Sequence, residues 1–174
     1  MVRGLLAAML LAAPALAVAD ETQISEYRVK SAFLYNFSRF VTWPEAALQD
    51  RTEFLLCVIG TDPFGAQLDK LTGKAVHNHT LAVRRLNSLA MVDDCHLVYI
   101  GEDTMPGDIL LLVRERPVLT VSDAKDFIEQ GGIIQFQLVQ SKVRFRINMD
   151  AANSAGLKVS SKLLSLAISV TRGY

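Results

Sequence analysis

The chain has 174 residues, with 18 Lys+Arg balancing 18 Asp+Glu, two cysteines, three histidines and 51% apolar residues. That length can bury one domain's core without a metal or many disulfides. Zero net charge excludes the basic excess with which nucleic-acid binders meet phosphate, and 21% charged beside 51% apolar residues excludes a disordered chain.

The amino end reads as an export signal. Arg3 precedes an apolar run from Leu5 to Val18 broken only by Pro14, and Ala17-Val18-Ala19 has the small-x-small pattern of a cleavage site. Cleavage is expected before Asp20, with Ala15-Leu16-Ala17 as a second site. A spanning helix needs about 20 apolar residues, and this run is shorter and holds a proline. The expectation is a signal peptide over 1–19 and one domain over 20–174, exported, with no insertion in the membrane.

Export bears on Cys57 and Cys95. Outside the cytoplasm a cysteine pair tends to be oxidised, and two cysteines allow one intramolecular bridge. On the loop-entropy model, closing that loop contributes roughly 4 kcal/mol. Two buried free thiols are the alternative. Neither cysteine lies in a CxxC motif, so a thioredoxin-type role has no support.

The elements follow in chain order. A helix is predicted over Thr22 to Val41, with Phe33, Phe37, Phe40 and Val41 on one face, stopped by Pro44. Phe54 to Ile59 reads as a buried strand. Asp62-Pro63 then reads as an N-cap with proline at N1, opening a helix that ends near Gly73. Strands follow at Thr80–Arg85 and His96–Ile100, a helix at Pro106–Arg114 and a strand at Pro117–Val121. Ser122 or Asp123 caps a helix that ends at Gly131-Gly132.

Beyond Gly132 the period falls to two. Ile134, Phe136 and Leu138 alternate with Gln135 and Gln137, and Val143, Phe145 and Ile147 alternate with Arg144 and Arg146, a hairpin with one wet face. Asn148 caps a short helix ending at Gly156, and Val159, Leu163, Leu166 and Val170 form the stripe of a last helix. The fold class is α/β, one three-layer domain with a mostly parallel central sheet and an antiparallel C-terminal hairpin at its edge. A flavodoxin-like order, 2-1-3-4, makes the first and third strands neighbours, as a Cys57–Cys95 bridge requires.

No catalytic set emerges. The loop Gly60-Thr61-Asp62-Pro63-Phe64-Gly65 lies between a strand and a helix, but it is neither GxGxxG nor a P-loop, and its aspartate repels phosphate. It reads as a tight turn. His77, His79 and His96 sit in different elements without a third or fourth ligand, so they read as surface or internally satisfied side chains, with no metal. There is no G-x-S-x-G elbow. Ser160-Ser161-Lys162 has the wrong spacing for S-x-x-K and reads as a helix cap. Asp93-Asp94 and Asp123/Asp126 are carboxylate pairs without a partner feature. No cofactor is implied.

Aromatic placement is more informative. Tyr27, Phe33, Tyr35, Phe37, Phe40 and Trp43 crowd into the first helix and its exit. Tyr27, Leu34 and Tyr35 fall on or near a second face, so this helix is either deeply buried or meets another protein. With Arg144 and Arg146 of the hairpin's polar face, they are the candidate partner-binding residues. If the protein instead senses a small molecule, the crevice at the strand ends near Thr61, Asp62 and Gly101 is the expected site.

Several of these segments carry a resemblance. Tyr27-Arg28-Val29-Lys30-Ser31-Ala32-Phe33-Leu34-Tyr35-Asn36-Phe37 and Phe40-Val41-Thr42-Trp43-Pro44 resemble the opening of the YfiR/HmsC family. Cys57-Val58-Ile59-Gly60-Thr61-Asp62-Pro63-Phe64-Gly65, Cys95-His96-Leu97-Val98-Tyr99-Ile100 and Leu119-Thr120-Val121-Ser122-Asp123 resemble its middle. Gly131-Gly132-Ile133-Ile134, Val143-Arg144-Phe145-Arg146-Ile147-Asn148 and Leu157-Lys158-Val159-Ser160-Ser161-Lys162-Leu163-Leu164 resemble its end.

The resemblance implies a compact periplasmic α/β repressor, not an enzyme. Such a protein binds the periplasmic sensing domain of an inner-membrane diguanylate cyclase and holds it inactive, which lowers cyclic di-GMP and biofilm formation. It also implies a homodimer as a second association. Cys57 and Cys95 match the family's shared cysteine pair, whereas the second pair that some members carry has no counterpart after Cys95. Arg146 stands where many members are expected to be acidic.

Overall fold

The structure, a computed structural model, describes residues 15–172. Most of the predicted export signal, residues 1–14, lies outside the described residues.

Helix α1 (Ala15–Phe40) leads into a short strand β1 (Val41–Thr42) and a single turn α2 (Glu45–Leu48). The fully buried positions of α1 are Leu34, Phe37 and Ser38, with Phe33 and Phe40 only half-buried. The core stripe is therefore rotated from the expected one, since Leu34 and Phe37 share a face with Val41. Leu34 is withdrawn from the partner-binding set: at 0% exposure it belongs to the core. Phe37 packs against Phe136 and Phe145, with ring centroids 5.6 and 5.0 Å away.

Strand β2 (Glu53–Ile59) is central and buried from Phe54 onward. Period-two alternation splits it between two cores. Phe54, Leu56 and Val58 join the α1 side. Leu55, Cys57 and Ile59 join the opposite side, under helix α4 (Pro106–Val113) and a 3-10 helix (Leu89–Asp94). Two dry faces explain the unbroken apolar run.

Around β2 lie β3 (Ala75–Val76), β4 (His79–Leu86), β5 (Leu97–Ile100), β6 (Leu119–Ser122), β7 (Ile134–Val139), β8 (Lys142–Asn148) and β10 (Ser169–Thr171). They form one eight-stranded sheet in the order β10-β8-β7-β6-β5-β2-β4-β3. Strands β4, β2, β5 and β6, which are the four predicted strands, thus stand in the 2-1-3-4 order. Strand β9 (Lys158–Val159) pairs with β1 in a separate two-stranded sheet.

The sheet is mixed rather than mostly parallel, because β3 turns back on β4 and β8 turns back on β7. Nor does the hairpin end the sheet. Strand β10 pairs with β8 in parallel and covers it. The predicted last helix shrinks to one turn, α6 (Ser161–Leu164), capped by the Ser160 hydroxyl, which accepts from the Leu163 N–H. Val159 and Val170 are β-branched and only partly buried, which suits short edge strands better than the core stripe of a helix.

The helix predicted after Asp62-Pro63 also contracts, to α3 (Ala66–Asp69), because Gly65 turns through φ +51° just before it. Residues 123–132 hold turns in place of the predicted helix, with Asp126 at φ +58°. Gly132 is required there: a Cβ would lie 2.2 Å from the ring of the fully buried Phe127. The predicted cap at Asn148 is present, its carbonyl accepting from Ala151 N–H at the start of α5 (Met149–Ser154).

The Cys57–Cys95 disulfide joins β2 to the residues entering β5, with Cα atoms 6.0 Å apart, and both sulfurs lie in the α4-side core. Cys57→Ser is expected to lower the unfolding free energy by about 2–4 kcal/mol; an unchanged urea midpoint would show the bridge to be dispensable. The hairpin turn places Gln140 and Ser141 both at positive φ, where Asn-Gly is preferred. Gln140→Asn with Ser141→Gly is expected to raise stability by about 1 kcal/mol, read from the same denaturation curve.

Candidate functional site

One cluster of ionisable side chains lies largely buried between α1 and the sheet. On α1, Glu26, Tyr27 and Lys30 face the carboxyl ends of β5 and β6, where Tyr99 and Asp123 wait. Lys30 is only 3% exposed, a charge set into an otherwise apolar stripe. Its ammonium pairs with Glu26 and lies 2.8 Å from Asp123 Oδ2. The same oxygen accepts from the Tyr99 hydroxyl at 2.8 Å and from the Tyr27 hydroxyl at 3.3 Å.

Three donors therefore converge on one carboxylate oxygen, while Asp123 Oδ1 is buried without a partner. Burial, and then the neighbouring Asp123 carboxylate, push both phenols well above the ordinary tyrosine range. The Lys30 ammonium also lies 4.4 Å from the centre of the Tyr27 ring.

The crevice expected to hold a ligand is occupied by the protein's own groups. Asp103 clasps Thr61, accepting from its N–H at 2.9 Å and from its hydroxyl at 2.7 Å. Those bonds, the side-chain one first, hold the Asp103 carboxyl below its usual range. A Cβ on Gly60 would lie 2.0 Å from the Thr104 hydroxyl. Asp62 accepts from Phe64 N–H and Gly65 N–H and pairs with Arg85 at 2.7 Å. Gly101 is buried, its N–H bonded to Ile59 O. A cavity of about 450 Å³ opens beside this clasp, but its wall includes Gly60 and Thr104 rather than Thr61, Asp62 or Gly101.

The partner-binding candidates are not brought together on one surface. Tyr27 is tied to Asp123, and Tyr35 donates to Ala75 O on β3. Arg146 pairs with Glu129 at 2.9 Å, and only Arg144 stands exposed. Exposed apolar side chains also lie on α4 and the 3-10 helix: Met105 is 83% and Leu111 73% exposed, and Leu112 on α4 and Leu89 and Met91 on the 3-10 helix are exposed too.

Each histidine meets a backbone carbonyl: His77 at Val41, His79 at Leu48 and His96 at Ala47. Among the described residues no group of three or more His, Cys, Asp or Glu could hold a metal, and no helix is long and apolar enough to cross a membrane.

Fold and side chains together define a disulfide-stapled α/β domain with an ionic cluster under its first helix. The model of the family described as YfiR/HmsC-like matches residues 27–168. The chain belongs to the YfiR/HmsC-like family. No curated protein gives a match. Among solved structures, a conserved domain protein from Vibrio cholerae O1 biovar El Tor strain N16961 is similar over 83% of this chain, with TM-score 0.51 and 10% identity. This chain spans 60% of that protein's length, and the likeness concerns the fold alone.

Sequence reasoning did not find the Lys30–Asp123 cluster. The local signal concerned Lys30 alone, which lies three residues after Tyr27 and four before Leu34, the position of a core residue.

His96 yields a pH dependence. Its Nδ1 accepts from Leu55 N–H at 2.9 Å, so the proton of the neutral ring sits on Nε2, facing Ala47 O. Burial, ahead of any charge, lowers its pKa below the ordinary 6.5. The unfolded chain then binds more protons, so stability is full above that value and falls as pH drops beneath it. Denaturation curves from pH 7.5 to 5 should show this loss, at most about 1.4 kcal/mol per pH unit from this group, and His96→Gln should flatten the slope.

Proposed function

We propose that the protein is exported to the periplasm, loses residues 1–19, and binds the sensing domain of an inner-membrane diguanylate cyclase. In this reading it holds the enzyme inactive, lowering cyclic di-GMP and biofilm formation. The observation that carries the reading is the family match across 27–168.

The exposed apolar side chains of α4 and the 3-10 helix support a protein partner, since large apolar side chains left in water are the groups that binding would cover. Met105, Leu111 and Leu112 are assigned to the contact in place of Leu34, with Arg144 outside it. Repression needs only a preference for the cyclase's inactive state. Moving that equilibrium from nearly all active to nearly all inactive takes about 5.5 kcal/mol of differential binding, within reach of a few well-packed apolar anchors.

The test is the cyclic di-GMP level of the native host. Deleting the gene is expected to raise it, and restoring the gene to lower it again. A Met105→Glu/Leu111→Glu protein should fold, because both side chains are exposed, yet fail to restore repression. An unchanged level on deletion across growth conditions would overturn the regulatory reading. Normal repression by the double variant would overturn the assigned surface.

A further inference from the structure

Charge is unevenly placed along this neutral chain. Residues 27–44, 70–92 and 151–174 hold ten of the 18 Lys+Arg and none of the 18 Asp+Glu. The fold joins these three segments near the carboxyl end of α1. Strand β1, which continues α1, pairs with β9, and the Ser160 N–H donates to Phe40 O. The Tyr35 hydroxyl donates to Ala75 O on β3 at 3.0 Å.

Where the segments meet, cations and aromatic rings alternate. The Lys74 ammonium lies 5.1 Å from the centre of the Tyr35 ring. The Arg39 guanidinium lies 5.5 Å from the same ring and 5.9 Å from that of Phe40. The Lys162 ammonium lies 5.0 Å from the Phe40 ring. All three cations are exposed and both rings are half-buried. Among the described residues no carboxylate pairs with any of the three. Arg28, also exposed, extends the stripe along the outer face of α1, where Arg28, Ala32, Tyr35 and Arg39 recur at helical spacing.

We propose that this stripe docks the exported protein on an anionic phospholipid leaflet, without inserting into it. Lys and Arg side chains each add to the attraction of such a leaflet, and amphipathic rings settle at its headgroup level. Arg114 and Lys125 are exposed and unpaired too, but neither lies over a ring. An acidic protein segment suits the stripe less. The outer face of a helix is convex and offers it no groove, and the adjoining sheet edge is already taken at Ala75 O by Tyr35. A leaflet presents its charge as a continuous surface, which a convex row of cations meets directly. Because α1 and α4 cover opposite faces of the sheet, docking through α1 leaves Met105 and Leu111 open to a protein partner. The proposal rests on the exported location alone, and not on which protein the chain represses.

Co-sedimentation of the purified exported protein with lipid vesicles at pH 7 and about 50 mM NaCl provides the test. Vesicles of phosphatidylcholine with about one-third phosphatidylglycerol are compared with pure phosphatidylcholine. Each Lys or Arg strengthens binding to an anionic leaflet about fivefold, so three give a preference of about a hundredfold. Raising NaCl to about 0.5 M should release the protein. Arg39→Glu/Lys74→Glu is expected to weaken anionic-vesicle binding by about 25-fold or more. Arg114→Glu/Lys125→Glu makes the same change in net charge off the stripe, and its loss should stay under about threefold. All four side chains are exposed, so both variants should fold. If the stripe variant misfolds, Lys162→Glu alone decides, with an expected loss of about fivefold. Equal binding to both vesicle types, no binding to the anionic vesicles at about 2 mM lipid, or equal losses in the two double variants would each overturn the proposal. So would capture of the protein by polyglutamate without vesicle binding, which would make the stripe a site for an acidic chain. Each of these results leaves the repressor reading to its own test in the host.

Discussion

Both faces of β2 must stay dry, and that constraint organises the molecule. A strand buried on two sides needs a cover for each, so α1 closes one face while α4 and the 3-10 helix close the other. It also needs neighbours on both edges to satisfy its backbone, which β4 and β5 supply in parallel register. The chain must then cross the sheet between parallel strands, and each crossing leaves a loop at the carboxyl ends. Asp103 and Asp123 both sit in such loops, one clasping Thr61 and the other receiving Lys30.

The two clasps differ in kind. The Asp103 pairing lies in water, where it fixes the shape of a turn and adds little stability. The Asp123 pairing is shielded, so removing either partner would strand the other charge in the interior. Helix α1 is thus held by apolar packing at Phe37 and by an ionic tie one and a half to two turns earlier, at Lys30. Apolar packing alone tolerates small slides along a helix; a buried tie with fixed donors does not. The position of α1 relative to β5 and β6 is specified by that combination.

What was legible in the sequence was local. The dry strand at Phe54–Ile59, the alternating hairpin and the Asn148 cap each carry their signal within a few residues, and each appears where the pattern places it. The cysteine pairing also followed from chemistry, one bridge for two cysteines. The misreadings have a different source. Val159 to Val170 has a helical stripe, but its outcome depends on an open edge at β8, more than ten positions away, which no local window contains. Leu34 falls on a second face when the stripe is drawn through Phe33, Phe37, Phe40 and Val41, whereas packing selects Leu34, Phe37 and Val41. Lys30 and Asp123 are 93 positions apart, so only the tertiary fold could reveal their pairing. The clasp that fills the Thr61 crevice depends on Asp103, 42 positions on, and was equally out of reach.

The burial of the disulfide has a kinetic consequence. Cys57 and Cys95 are nearly inaccessible to solvent, and exchange requires a thiolate to reach a sulfur along a defined line. A reductant must wait for the region joining β2 and β5 to open, an event drawn from the stable end of the molecule's fluctuations. The bond therefore responds to its surroundings on the timescale of unfolding rather than of diffusion. A bridge of this type preserves the oxidising conditions under which the chain folded, long after those conditions have changed.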